Sequence, residues 1–246
     1  MSMEHIRIRA FRAVDDRESC IRYVYEHSRL LEEIGVSNAL LHDDRWCTDD
    51  RTVMVLAEHE TLGIVGGLRL QQPAPERRLP VHIALGTHHH GIDELVENAR
   101  PGMAELCGLW NARRFAGRGV PWIMTSVAVA AAPRAGVHQI LCLAADYTMK
   151  YPLMNGFRVV SHVGRNGGFS YPIPGYTAYL LCHPDTSAMV AGDSTHFRRL
   201  NDLHMNTGIT RLEVTNKVPL LVTYDLDMTG TASISSLPRT ELRRSA

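Results

Sequence analysis

A strand, a glycine-bearing turn and an apolar helix follow one another directly in this chain, and that succession constrains its fold most. Met103–Asn111 (MAELCGLWN) reads as a buried strand, residues 114–119 (RFAGRG) as the turn, and residues 120–132 as a buried helix. Pro121 stands early in that helix, where its missing N–H costs nothing, and Pro133 with Gly136 closes it. Glycines at such a junction let the backbone approach a phosphate closely. The helix N-terminus adds N–H groups and a positive dipole end.

The rest of the chain alternates in the same manner. Residues 6–11 (IRIRAF) have period two and give a first strand. Asp15 and Asp16 open a helix that Gly35 ends, and Ile21, Val24, Tyr25, Leu30, Leu31 and Ile34 are its expected apolar face. Residues 42–51 form a polar, acidic loop, 52–58 and 64–71 a hairpin, and 73–80 a proline-bearing loop. A short helix is expected over 91–99. Beyond the central helix come a strand (138–144), a short helix (145–154), a strand (157–163), a Gly/Pro-rich connector and a strand (176–182). Residues after about 187 look like an addition, with a helix over 194–205 and strands over 210–215 and 218–224. The Ser-, Thr- and Asp-rich tail from Asp225 is expected to lack fixed structure.

Composition excludes several classes. With 246 residues, 45% of them hydrophobic, the chain has ample material for one large domain. Lys+Arg and Asp+Glu balance at 26 each, so no broad basic footprint for nucleic acid exists. Cys20, Cys47, Cys107, Cys142 and Cys182 form no Cys-x-x-Cys pair and read as free thiols in a reducing cytoplasm. The start, MSMEHIRIRA, has no charged-then-apolar signal pattern, and no apolar run approaches the ~20 residues that span a bilayer. A cytoplasmic protein without an integral membrane segment is expected. His88, His89 and His90 are consecutive and lack a carboxylate or cysteine at ligand spacing, so no metal is expected there.

Some residues stand out chemically. Glu105 is a lone carboxylate in an apolar strand. Desolvation raises its pKa towards that of a working base, unless Arg69 or Arg114 pairs with it. Arg69 is the only charge in IVGGLRL and either grips a ligand carboxylate with both arms or faces solvent. Residues 114–119 are either an ordinary turn or a phosphate cradle, in which Arg118 adds charge and the N–H groups of Phe115 and Ala116 add donors. The acidic loop (Asp43, Asp44, Asp49, Asp50) either recognises an amine or is a solvated turn. Cys107 has no Cys/His motif around it and is a poor nucleophile.

The R-x-x-G-x-G of Arg114, Gly117 and Gly119, between strand and helix, and the later Tyr151, Gly156 and Phe157 together resemble the GNAT superfamily of N-acyltransferases, over roughly residues 6–182. Arg22 in the first helix, the acidic loop, the run VGGLRL ending at Leu70, Glu105 in the fourth strand and the connector YPIPGYTAY look closest to the autoinducer-synthase-like branch. That branch includes acyl-homoserine-lactone synthases and long-chain N-acyl amino acid synthases. The resemblance implies an α/β (α+β) fold: a GNAT-type mixed, mostly antiparallel twisted sheet flanked by helices over 1–184, with a C-terminal extension over 185–246. It implies acyl transfer from acyl-CoA or the phosphopantetheine of an acyl-carrier protein to the amine of an amino-acid-like acceptor. The product is then an N-acyl amino acid or an acyl-homoserine-lactone-like compound.

Roles follow from the same resemblance. Arg114, Phe115, Ala116, Gly117, Arg118 and Gly119 hold the pyrophosphate. Backbone N–H groups around Cys107 and Leu109 hold the thioester carbonyl where the fourth and fifth strands splay. Glu105 takes the amine proton, Tyr151 is a general acid, and Arg22, Asp44 and Arg69 bind the acceptor. An acyl-carrier protein and a second copy of the chain are candidate partners, and no metal is implied. Two alternatives stay open: a short-chain acetyl-CoA-dependent N-acetyltransferase and a non-catalytic acyl-thioester-binding protein.

Overall fold

The computed structural model describes residues 3–33, 35, 44–75, 77–86, 90–97, 102–188, 194–215 and 218–229. Strands β1 (His5–Arg12), β2 (Thr52–His59), β3 (Gly63–Gln71) and β4 (Met103–Asn111) make an antiparallel run in that spatial order. β5 (Gln139–Ala145) lies parallel to β4. Beyond it, β8 (Thr177–His183) is antiparallel to β5, and the short β6 (Arg158–Val159) and β7 (Gly168–Ser170) pair with β8. At the far edge β10 (Val218–Asp225) runs parallel to β1, and β9 (Gly208–Thr215) is antiparallel to β10. Among the described residues this is one ten-stranded sheet.

Strand alternation divides the core between two faces. Ile6, Ile8, Val53, Val55, Leu70 and Leu106 point towards α4 (Val120–Ala131), whose residues are buried except for the half-buried Trp122. A helix that is apolar all round belongs at the centre of a fold. Leu200 and Leu203 of α6 (Ser194–Met205) and Leu220, Val222 and Tyr224 of β10 enter the same cluster. Sheet and core therefore both run across position 184. The opposite face carries two separate clusters. One holds Phe11, Tyr23, Trp46, Met54 and Trp110, beneath α1 (Arg17–Glu33) and the 3-10 turn Arg45–Thr48. The other holds Leu79, Leu85, Ile92, Met103 and Leu141, beneath α2 (Pro80–Leu85) and α3 (His90–Glu97).

Several local expectations are corrected. Asp16 does open α1, accepting the Ser19 N–H at Oδ1 (3.0 Å). The buried stripe of α1 nevertheless runs through Cys20 and Tyr23, while Ile21 and Tyr25 are 43% and 65% exposed. Val24 and Leu30 of the expected face do pack, half-buried, against the same cluster. Ile34 lies outside the described residues. The helix expected over 145–154 is a turn followed by α5 (Lys150–Met154). The strand expected over 157–163 shrinks to β6, because Val160 and Val163 turn into the second cluster and Gly164 and Gly167, both at positive φ, reverse the chain into β7. The proline-bearing loop ends in α2, with Pro80 in its first turn. The tail expected to lack structure from Asp225 on instead begins inside β10, with Leu226 buried in the core; from position 230 it lies outside the described residues. Among the described residues no helix is long and apolar enough to cross a membrane.

Candidate functional site

The site begins where two strands part. β4 and β5 pair from Met103/Gln139 to Leu106/Cys142 only, although β4 continues to Asn111 and β5 to Ala145. On its other side β4 slips against β3, the register shifting between Gly67 and Arg69. Gly108 and Leu109 form that bulge. Gly108 has φ +65°, and a Cβ there would lie 2.1 Å from Tyr23 Oη and 3.2 Å from Arg69 Nη1, so only glycine fits. Beyond the bulge Trp110 rejoins the face that carries Glu105 and Cys107.

A polar group occupies the junction of the two apolar clusters on that face. Glu105 is 2% exposed. Its Oε2 accepts the Val81 N–H in the first turn of α2 (2.8 Å). Burial pushes the carboxyl up to about 7, against the opposing pull of that N–H and of the Arg69 charge. Arg69 is half-buried, lies over the Trp46 ring (4.7 Å) and donates from Nε to Gln71 Oε1 (3.3 Å). Among the described residues no carboxylate forms an ion pair with it. Cys107, opposite Arg69 across β3 and β4, is pushed up to about 12 by burial, so it stays a thiol. Burial and the Arg69 charge lower His27, stacked on Trp110, to about 4. A buried Asp49–Arg77 ion pair joins the segment after the Trp46 turn to the segment before α2, closing the face over this group.

The phosphate-loop candidate lies at the start of α4. Arg114 is exposed and pairs with Glu4 (3.0 Å), so it does not reach Glu105. Phe115 is a core residue, and the N–H groups of Phe115, Ala116 and Arg118 donate to Ala112, Arg113 and Phe115 carbonyls. The donors expected of Phe115 and Ala116 are therefore taken up by a 3-10 turn. Helix geometry gives the first-turn N–H groups of Val120 and Trp122, at the start of α4, no intrahelical acceptor. Gly117 and Gly119 have φ +74° and +76°. The C-terminal extension backs the loop: Thr215 Oγ1 donates to the Arg118 carbonyl (2.6 Å), and Trp122 is flanked by Arg199 (4.4 Å) and His196 (5.5 Å).

The structure brings Glu105, Arg69, Cys107 and the Gly108–Leu109 bulge together. It does not bring in three other expected residues. Arg22 is exposed on the outer side of α1 near Gly63, while the adjacent Tyr23 turns inward. Asp44 is exposed; Asp43 lies outside the described residues, and Asp49 is taken by Arg77 and Arg51. Tyr151 sits on α5 with Lys150 over its ring (5.1 Å), and its carbonyl accepts from Asn155. No hydrogen bond among the described residues links its hydroxyl to Glu105. Sequence reasoning passed over Tyr23 and Val81. A tyrosine three residues after Cys20 on one helical stripe was the signal for the first; the second, a backbone N–H, left none. Histidines 88 and 89 lie outside the described residues, and among the described residues no cluster of metal ligands occurs.

Sheet order and the parting of β4 from β5 give a GNAT-type fold, a mixed, mostly antiparallel sheet flanked by helices. Among solved structures, the CoA-dependent acyl-homoserine lactone synthase BjaI with SAM and isopentyl-CoA superposes with a TM-score of 0.53 at 16% identity, covering 94% of this chain and 96% of that one. Its complex with MTA gives 0.54, with the same identity and coverage. No family model and no curated protein sequence matches the chain.

Proposed function

We propose that this chain is an N-acyltransferase that moves an acyl group from the thioester of CoA or of a carrier protein's phosphopantetheine to the amine of an amino-acid-like acceptor. The observation that carries this reading is Glu105: a buried carboxylate raised to about 7, one residue short of the point where β4 and β5 part. An ammonium acceptor must lose a proton before it attacks, and a base near neutrality is matched to that task. The pyrophosphate rests on Gly117, Gly119 and the first turn of α4, and the pantetheine arm enters the β4/β5 split. Arg69, with which no carboxylate among the described residues forms an ion pair, receives the acceptor's carboxylate. Glu105 takes one proton from the ammonium, the amine nitrogen bonds to the thioester carbon, the C–S bond breaks, and the departing thiolate takes the second proton from that nitrogen. The acyl-CoA bound to BjaI, whose fold this chain shares, supports an acyl-CoA donor. Residues 1–184 carry the reacting groups, and His196, Arg199 and Thr215 of the C-terminal extension hold the donor loop from behind.

The test is thiol release from acyl-CoA and from acylated carrier protein with a panel of amino-acid amines, followed with a chromogenic disulfide and with mass spectrometry of the products. Amine-dependent thiol release is the expected result. Binding of CoA without amine-dependent release from either donor would make the chain a binder and overturn the reading.

A further inference from the structure

Tyr23 is a buried hydroxyl that this reaction leaves unused. It is 0% exposed, packed against Trp46 (6.0 Å) and Trp110 (6.3 Å). Its hydroxyl donates to the Gly108 carbonyl at 2.5 Å. Gly108 has positive φ within β4, and the Tyr23 oxygen stands 2.1 Å from where a Cβ would be. Burial pushes the Tyr23 hydroxyl well above its usual range, so it keeps its proton and acts as a donor rather than an acid. In a trans peptide the C=O and the following N–H point to opposite sides. The Gly108 carbonyl is held on the α1 face, so the Leu109 N–H is directed to the other side of the sheet. That is the side of α4, where the Leu109 side chain also packs.

We propose that Tyr23 is a positioning residue for the thioester carbonyl: its hydroxyl locks the Gly108–Leu109 peptide so that the Leu109 N–H faces the acyl donor. The inference rests on the N-acyltransferase reading above. Phenylalanine would fill the same volume but leave the Gly108 carbonyl without its donor, and the bulge peptide would be free to rotate. Leu109 would touch the reacting carbonyl, and Tyr23 acts through it.

Two non-reactive CoA analogues test this, a ketone that keeps the carbonyl and replaces sulfur with a methylene, and a thioether that lacks the carbonyl. Calorimetry should show the parent preferring the ketone by about threefold to tenfold, the range of one net hydrogen bond. In Tyr23→Phe the preference should fall to about one while thioether affinity is kept. An unchanged preference in Tyr23→Phe overturns the inference and leaves the donor site standing. Failure of the parent to bind either analogue overturns the donor site and the inference with it. A second measurement needs no variant: with ¹⁵N-leucine labelling, the ketone should move the Leu109 amide resonance of the parent and the thioether should not. Equal effects of the two analogues on that resonance overturn the proposal.

Discussion

Replacing Glu105 by glutamine keeps the shape of the side chain and the acceptor for the Val81 N–H, and removes only the titration. Because the carboxyl is raised from 4.5 to about 7, the folded chain holds a proton that the unfolded chain releases over that interval. Stability from this group is therefore fully present below pH 4.5 and is lost as the pH rises to about 7. At ~1.4 kcal/mol per tenfold change in proton affinity, the loss is of order 3 kcal/mol. The variant suffers no such loss. Its unfolding free energy relative to the parent, from urea titrations, should climb by roughly 3 kcal/mol from pH 4.5 to about pH 8 and then stay level. Turnover gives the second readout. The parent's kcat/KM should rise with pH through about 7, and Glu105→Gln should lower turnover about 10²-fold with donor binding retained. A stability difference that does not change with pH would mean an ordinary carboxylate, and near-normal turnover would remove Glu105 from the mechanism.

Three further outcomes are expected. A Cβ at position 117 meets no atom within 4 Å, so Gly117→Val should still unfold cooperatively, with a cost of ~1–2 kcal/mol for its positive φ. It should lose the stabilisation by CoA that, in the parent, reaches roughly 2.7 kcal/mol at 100 times Kd; a variant that keeps this shift would sink the loop assignment. Arg69→Lys gives up the two-armed grip, so KM for carboxylate-bearing acceptors should rise roughly tenfold while the CoA-induced thermal shift stays. An unchanged KM would take Arg69 out of acceptor recognition. Ending the chain after His183 removes Leu200, Leu203, Leu220, Val222 and Tyr224 from the shared core and exposes the β1 edge. Near-ultraviolet circular dichroism should show loss of fixed packing, and a truncated chain with a native spectrum would make residues 185–246 dispensable.

Local sequence was enough for the elements nearest the chemistry. The strand–turn–helix around Met103–Asn111, the glycines at 117 and 119 and the early Pro121 were legible, because glycine and proline act on their own backbone. The unusual standing of Glu105 was legible too, as a lone carboxylate between apolar neighbours, although its burial is a fact of the fold. What required the folded chain were contacts between residues far apart in sequence. Arg22 and Tyr23 differ by one helical step, and only the docking angle of α1 decided that the tyrosine enters the site. Asp49 was as plausible an amine ligand as its neighbours until Arg77 neutralised it. The segment after residue 185 read as an addition because its strands carry no mark of their partner. The parallel pairing of β10 with β1 and the reach of Thr215 to the Arg118 carbonyl join it to the core and to the donor loop. Backbone preference and the cost of desolvation act locally and can be read from composition and spacing. The partner of a buried hydroxyl, charge or strand edge is settled only when distant segments pack, as Tyr23 finds Gly108.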